Sequence, residues 1–221
     1  MSKFNLKNTS SRSIDFKPAP SGAHIGRLIK LIDLGTQDST YNGETKSKRQ
    51  IELVFELPEE LMENGTPYIV SRRVNLLFSE KATLRLMIES WTGGKLSNKD
   101  VEEFKLESLV SKLGMLNITH NESKGKIYAN IQTVMPIPKK TSVPKQVNQS
   151  IIFSLDEFDS EIYSTLSNYH KELIKNSPEF KLIDDEDEEI KEPVITNKKA
   201  KTDVNAENKE AVLEKWRKQA I

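Results

Sequence analysis

There is no cysteine anywhere in this chain. That absence removes disulfide staples, thiolate metal sites and cysteine nucleophiles together, and it fits a reducing compartment. Histidine is scarce as well: His24, His120 and His170 fall in separate segments without metal-ligand spacing. No Gly-x-Ser-x-Gly elbow occurs. Gly43 is followed by Glu44 rather than by the Lys-Ser/Thr pair of a phosphate-binding loop. Carboxylates cluster only at Asp184, Asp185, Glu186, Asp187, Glu188 and Glu189, a run too self-repelling to hold two acids at a fixed catalytic separation. These absences lead us to expect a protein that is not an enzyme and uses no cofactor or metal. Long apolar runs are missing too, so no bilayer-spanning helix is expected. The stretch Met1-Ser-Lys-Phe-Asn-Leu-Lys has no signal-peptide core. A soluble, intracellular protein with no membrane partner is the expectation.

The net charge is zero but unevenly placed. Residues 1–140 hold 21 Lys and Arg against 16 Asp and Glu, whereas residues 141–221 hold 12 against 17. A basic body followed by an acidic distal part points the first half toward an anionic ligand.

Residues 1–20 are polar and end in Pro18-Ala-Pro20, which reads as a mobile arm. From Gly22 to Leu34, apolar residues occur at both parities, as in a long strand that is bent or covered on both sides. Gly26 inside it signals a bulge or a close backbone approach. Gly35 to Ser47 reads as a long functional loop. Lys48 to Leu57 alternates, with Ile51, Leu53, Phe55 and Leu57 inward and Gln50, Glu52 and Glu56 outward. Asn64-Gly65 marks a turn into a third strand, Tyr68 to Leu77. The adjacent Arg72 and Arg73 there must point to opposite faces, so one arginine is sent toward the core side. Ser79 is the expected cap of a helix carrying Leu84, Met87, Ile88 and Trp91, stopped by Gly93-Gly94. Trp91 on that stripe is read as a core plug. A short helix or turn over residues 98–113 leads to a hairpin of residues 114–120 and 126–136 around Asn121–Gly125.

Strand, strand, strand, helical connection, strand, strand is the element order of an OB-fold barrel. The predicted class is therefore mainly β with helices (α+β): a five-stranded OB-fold-like barrel over residues 21–137. A proline-containing linker and docking helix follow over 138–181, with the helix at Ser160–Lys175. An acidic and mixed-charge tail, 182–221, is expected to be disordered apart from a terminal helix around Trp216. OB barrels bind single-stranded nucleic acid across strands two and three, flanked by the loops after strands one and four, combining a basic groove with aromatic platforms. The residues at those positions are Tyr41, Lys46, Lys48, Arg49, Arg72, Arg73, Lys124, Lys126 and Tyr128. Tyr128 reads equally as a filler of the barrel wall, and Tyr68 shares the apolar parity.

One resemblance is carried by the segments Tyr41-Asn-Gly43, Lys48-Arg-Gln-Ile-Glu-Leu-Val-Phe-Glu-Leu57, Leu77-Phe-Ser-Glu-Lys81, Glu89-Ser-Trp-Thr-Gly93, Gly114-Met-Leu-Asn-Ile-Thr-His120 and Lys126-Ile-Tyr-Ala-Asn-Ile131. Over roughly residues 22–180 the chain resembles a group of bacteriophage proteins that includes single-stranded DNA-binding proteins. The resemblance implies an OB-fold protecting single-stranded DNA in phage replication or recombination, in the cytoplasm of a bacterial host. Acidic tails of such proteins recruit replication proteins, so Asp184 to Glu189 read either as a partner site or as a solubilising linker. Two other classes stay open: a replisome or virion assembly factor built on the same barrel, and a strand-annealing accessory.

Overall fold

The computed structural model describes residues 17–41 and 43–189. It is mainly an antiparallel β sheet with a few helices. The strands are β1 (Gly22–Tyr41), β2 (Glu44–Leu61), β3 (Pro67–Asn75), β4 (Leu113–Ser123), β5 (Lys126–Met135) and β6 (Ile151–Phe153). The helices are α1 (Thr83–Thr92), α2 (Asn98–Glu103), α3 (Ser160–Thr165), α4 (Asn168–Lys175) and α5 (Pro178–Glu189). The strand order is β3-β2-β1-β4-β5, with β6 pairing parallel to Lys30–Ile32 of β1. No helix among the described residues is long and apolar enough to cross a membrane.

The expected closed barrel is not closed, because β3 and β5 share no ladder. Arg72 explains part of the gap. It pairs across from Leu53 on the core-facing side, and its guanidinium runs out through the seam to donate to the Gln132 carbonyl of β5. Gln132 is the extra residue of a bulge, since Asn117 pairs with Thr133 and Ile118 with Ile131. A long cation and an irregular edge thus stand where a fifth ladder would close the sheet.

β1 has apolar residues at both parities because both of its faces are covered. Leu28 and Leu31 join one core with Leu53, Phe55, Leu57, Leu84, Ile88, Trp91 and Leu116. Ile29, Ile32 and Leu34 join a second core with Val54, Phe153, Leu155, Leu166 and Ile174. Each such fully buried side chain is worth about 1.5–3 kcal/mol. Gly26 sits where a Cβ would lie 2.4 Å from Leu116 Cδ1, so the expected close approach is present.

Residues 35–47 are paired strand rather than the long loop expected. Gly35 through Tyr41 pair with Gln50 through Glu44, closing on a two-residue connection that holds Gly43 at φ +80°. The result is a two-stranded arm, its outer part exposed. The β4–β5 turn has Lys124 and Gly125 both at positive φ, the backbone of a type I′ hairpin.

α1 begins at Thr83, one turn later than a Ser79 cap implies; Ala82 stands at its cap without a side-chain hydrogen bond. Gly93, left-handed at φ +75°, ends it. The single helix expected over 160–175 is two, because Leu166 turns into the second core and Ser167 caps α4 afresh. α5 runs on through the acidic run, with Ser177 Oγ accepting from Phe180 N at its start.

The expected arm of residues 1–20 is described only from Lys17 onward. Ala19 is buried in the first core and its carbonyl meets His120 Nε2 at 2.7 Å. The terminal helix expected near Trp216 lies outside the described residues.

Candidate nucleic-acid interface

The outward side of β2 and β3 is defined by the register: Gln50 opposite Asn75, Glu52 opposite Arg73, Val54 opposite Ser71, Glu56 opposite Ile69. Much of it is already occupied by the chain's own distal segment. Glu56 is fully buried and accepts from the backbone amides of Val147 and Asn148, from Asn148 Nδ2, and from Arg27 Nη1. Glu52, 7% exposed, accepts from Ser71 Oγ and faces His170 Nε2 of α4 at 3.4 Å.

The nine expected contact residues do not form one patch. Arg49 is taken by carboxylates: its Nε and Nη2 donate to Asp33 and its Nη1 to Asp156 at 3.0 Å. Burial works against that charge, but the two aspartates outweigh it and push the guanidinium further up. With its fork filled, Arg49 is a structural cation rather than a phosphate ligand. Arg72 is committed to the β3–β5 seam. Lys124, Lys126 and Tyr128 belong to the β4–β5 tip, beyond Gly22 at the start of β1, whereas Tyr41, Lys46 and Lys48 lie near its other end. Tyr128 is half exposed opposite Asn121, which excludes the wall-filler reading. Lys46 is exposed with Glu44 3.4 Å away.

What the fold does bring together is a shorter track. Lys48, Asn75, Leu77, Ser79, Lys81, Ala82 and Thr83 line a cleft of about 200 Å³ between the arm, the end of β3 and the start of α1. Neither lysine makes an ion pair with any described residue. Asn75 continues this surface along β3 to Arg73, whose guanidinium carbon lies 5.6 Å from the centroid of the Tyr169 ring. Arg73 Nη2 also donates to the Tyr169 hydroxyl, with Glu52 Oε2 3.7 Å away. Tyr169 is 56% exposed, so the ring remains available to a planar partner.

The residues missed by sequence reasoning are thus Asn75, Lys81 and Tyr169. Lys81 follows the third strand closely enough to have been found. Tyr169 hid inside the apolar stripe of an expected docking helix, and only the break at Leu166 turns it outward over β3. Asp184 of the acidic run is exposed near the middle of α5, and the run continues that helix.

Burial alone would raise the Glu52 carboxyl. The facing His170 imidazole, the Ser71 hydroxyl and the charges of His170 and Arg73 outweigh burial and hold it below the usual carboxylate range. A carboxylate lowered on folding adds stability above its unfolded value, about 4.3, and that stability is lost as pH falls through the folded value. Thermal unfolding of the parent and of Glu52→Gln should therefore differ at pH 6, the parent being higher. The two curves should converge as pH falls below the ordinary carboxylate value and through the lowered folded one; a gap that persists in stronger acid would mean the ionised carboxylate is not what stabilises.

No protein-family model matches the chain, and no curated protein matches it.

Proposed function

We propose that this chain is a sequence-independent single-stranded DNA-binding protein on an OB-like sheet, acting in phage DNA replication or recombination. One observation carries the reading: two lysines without an ion pair among the described residues, Lys48 and Lys81, share a cleft that continues along β3 into the Arg73–Tyr169 pair. Phosphates of a single strand meet the lysines, and a base lies against the tyrosine, a contact worth about 1–3 kcal/mol whichever base it is. The strand order β3-β2-β1-β4-β5, with α1 between β3 and β4 packing Trp91 against Phe55, supports the OB-like assignment. The β4–β5 tip, with Lys124, Lys126 and Tyr128, offers a second contact region for a longer strand. The acidic end of α5, Asp184 to Glu189, is a candidate surface for replication proteins.

The experiment is a fluorescence-anisotropy titration with single- and double-stranded oligonucleotides at two salt concentrations. Three phosphate contacts, by Lys48, Lys81 and Arg73, give a single-strand salt slope near −2, which is about a twentyfold loss of affinity between 50 and 200 mM salt. Lys48→Glu/Lys81→Glu should weaken binding at low salt by about tenfold or more and flatten the slope, leaving thermal unfolding nearly unchanged. Unaltered binding by that variant would remove the cleft from the interface. An absence of binding to any oligonucleotide would favour a protein-assembly role instead.

A further inference from the structure

The second arginine of β3 is attended by a polar cluster that the nucleic-acid reading does not itself require. Glu52 lies beneath Arg73 on the neighbouring strand, 7% exposed. Its Oε1 accepts from Ser71 Oγ at 2.5 Å, while Oε2 is buried without a hydrogen-bond donor. Two cationic or ionisable groups face that bare oxygen: His170 Nε2 at 3.4 Å and Arg73 Nη2 at 3.7 Å. His170 is oriented from the other side, its Nδ1 lying 2.8 Å from the Oγ of Ser167, the residue that caps α4. With Nδ1 engaged there, Nε2 is the nitrogen turned to the carboxylate. Tyr169 is the next residue on the same helix, and its hydroxyl accepts from Arg73.

We propose that Glu52 and His170 are positioning residues that seat the first turn of α4 on β2–β3 and so present Tyr169 over Arg73 as the base-stacking platform. This rests on the nucleic-acid reading given above. The apolar anchor of α4, Ile174, lies in its second half and fully buried. At the first turn, His170 and Tyr169 make polar contacts to β2 and β3. Without Glu52 the imidazole loses the carboxylate it faces at 3.4 Å, Arg73 loses its counter-charge, and the ring is no longer fixed above the strand.

Electrostatics and positioning make opposite forecasts, which makes the idea testable. Deleting a carboxylate beside Arg73 would, by charge alone, tighten binding to a polyanion. A positioning role demands that binding weaken. The full chain and its variants Glu52→Gln, His170→Gln, His170→Ala, Tyr169→Ala and Glu52→Gln/Tyr169→Ala are titrated against a fluorescein-labelled oligothymidylate, with thermal unfolding run in parallel. Glu52→Gln and His170→Ala should each weaken binding several-fold. His170→Gln, which keeps a donor near the position of Nε2, should bind close to the parent. The double variant should be no weaker than Tyr169→Ala alone. Binding by Glu52→Gln as tight as the parent or tighter, or losses that multiply in the double variant, would overturn the proposal. Nuclear Overhauser contacts between the Tyr169 ring and the Arg73 side chain give a readout that needs no ligand. They should be present in the parent and absent in Glu52→Gln; their persistence refutes the seat even if the oligonucleotide binds nothing, an outcome that would refute the nucleic-acid reading by itself.

Discussion

Replacing Glu56 with alanine should lower the unfolding free energy by about 3–5 kcal/mol, the usual cost of stripping one partner from a buried ionic cluster. Glu56 is fully buried and serves five donor contacts from four groups: the amides of Val147 and Asn148, the Asn148 side chain and Arg27. Arg27 in turn donates to the Pro144 carbonyl at 3.0 Å. Alanine leaves the amides of Val147 and Asn148 and Arg27 Nη1 without their carboxylate, and a void beneath residues 144–148. An orphaned buried donor costs about 1–3 kcal/mol, and here more than one is orphaned. Glu56→Gln keeps the volume and one acceptor, so its loss should be smaller. Urea denaturation followed by circular dichroism checks both; a shift under about 1 kcal/mol for the alanine variant would mean that residues 144–148 are held by something else.

Trp91→Ala should cost a comparable amount, about 3–5 kcal/mol, through the cavity left under the sheet. The indole packs at 5.6 Å from the Phe55 ring and donates from Nε1 to the Leu113 carbonyl at 2.8 Å. Gly114 is shaped to it: a Cβ there would lie 2.8 Å from Nε1. Trp91→Phe retains most of the apolar surface but orphans the Leu113 carbonyl, so about 1 kcal/mol of loss is expected. Far-UV circular dichroism is the measurement of choice, since deleting this tryptophan alters intrinsic fluorescence whatever happens to the fold. Equal losses in both variants would show that the hydrogen bond, and not the volume, dominates.

The side of a strand that faces the first core was legible from period-two patterning. The alternation of Ile51, Leu53, Phe55 and Leu57 marks that side of β2, but Glu52, Val54 and Glu56 on its other side are buried as well, under the distal segment, which the alternation did not reveal. The anomaly of two adjacent arginines was readable too, and its resolution is physical: the core-side Arg72 stands at an open seam through which its charge escapes. The Arg49 assignment shows the limit. Nothing in sequence spacing says that Asp33 and Asp156, one on a neighbouring strand and the other over a hundred residues away, converge on a single guanidinium. The hairpin of residues 35–47 escaped for another reason. Its strands are polar on both sides, so periodicity is silent, and the Asn42-Gly43 pair was the one signal of a tight turn. The cleft of Lys48 and Lys81 joins segments separated by a whole strand, so only the pairing of β2 with β3 could reveal it.

The flank of β1 that carries Ile29, Ile32 and Leu34 is covered wholly by material from the last third of the described chain. The part of the sheet that ends at Met135 therefore depends on that later segment to cover one of its faces. Severed from its sequel, it would show water a broad greasy wall, so the distal helices are half of its shell and not cargo hung from it.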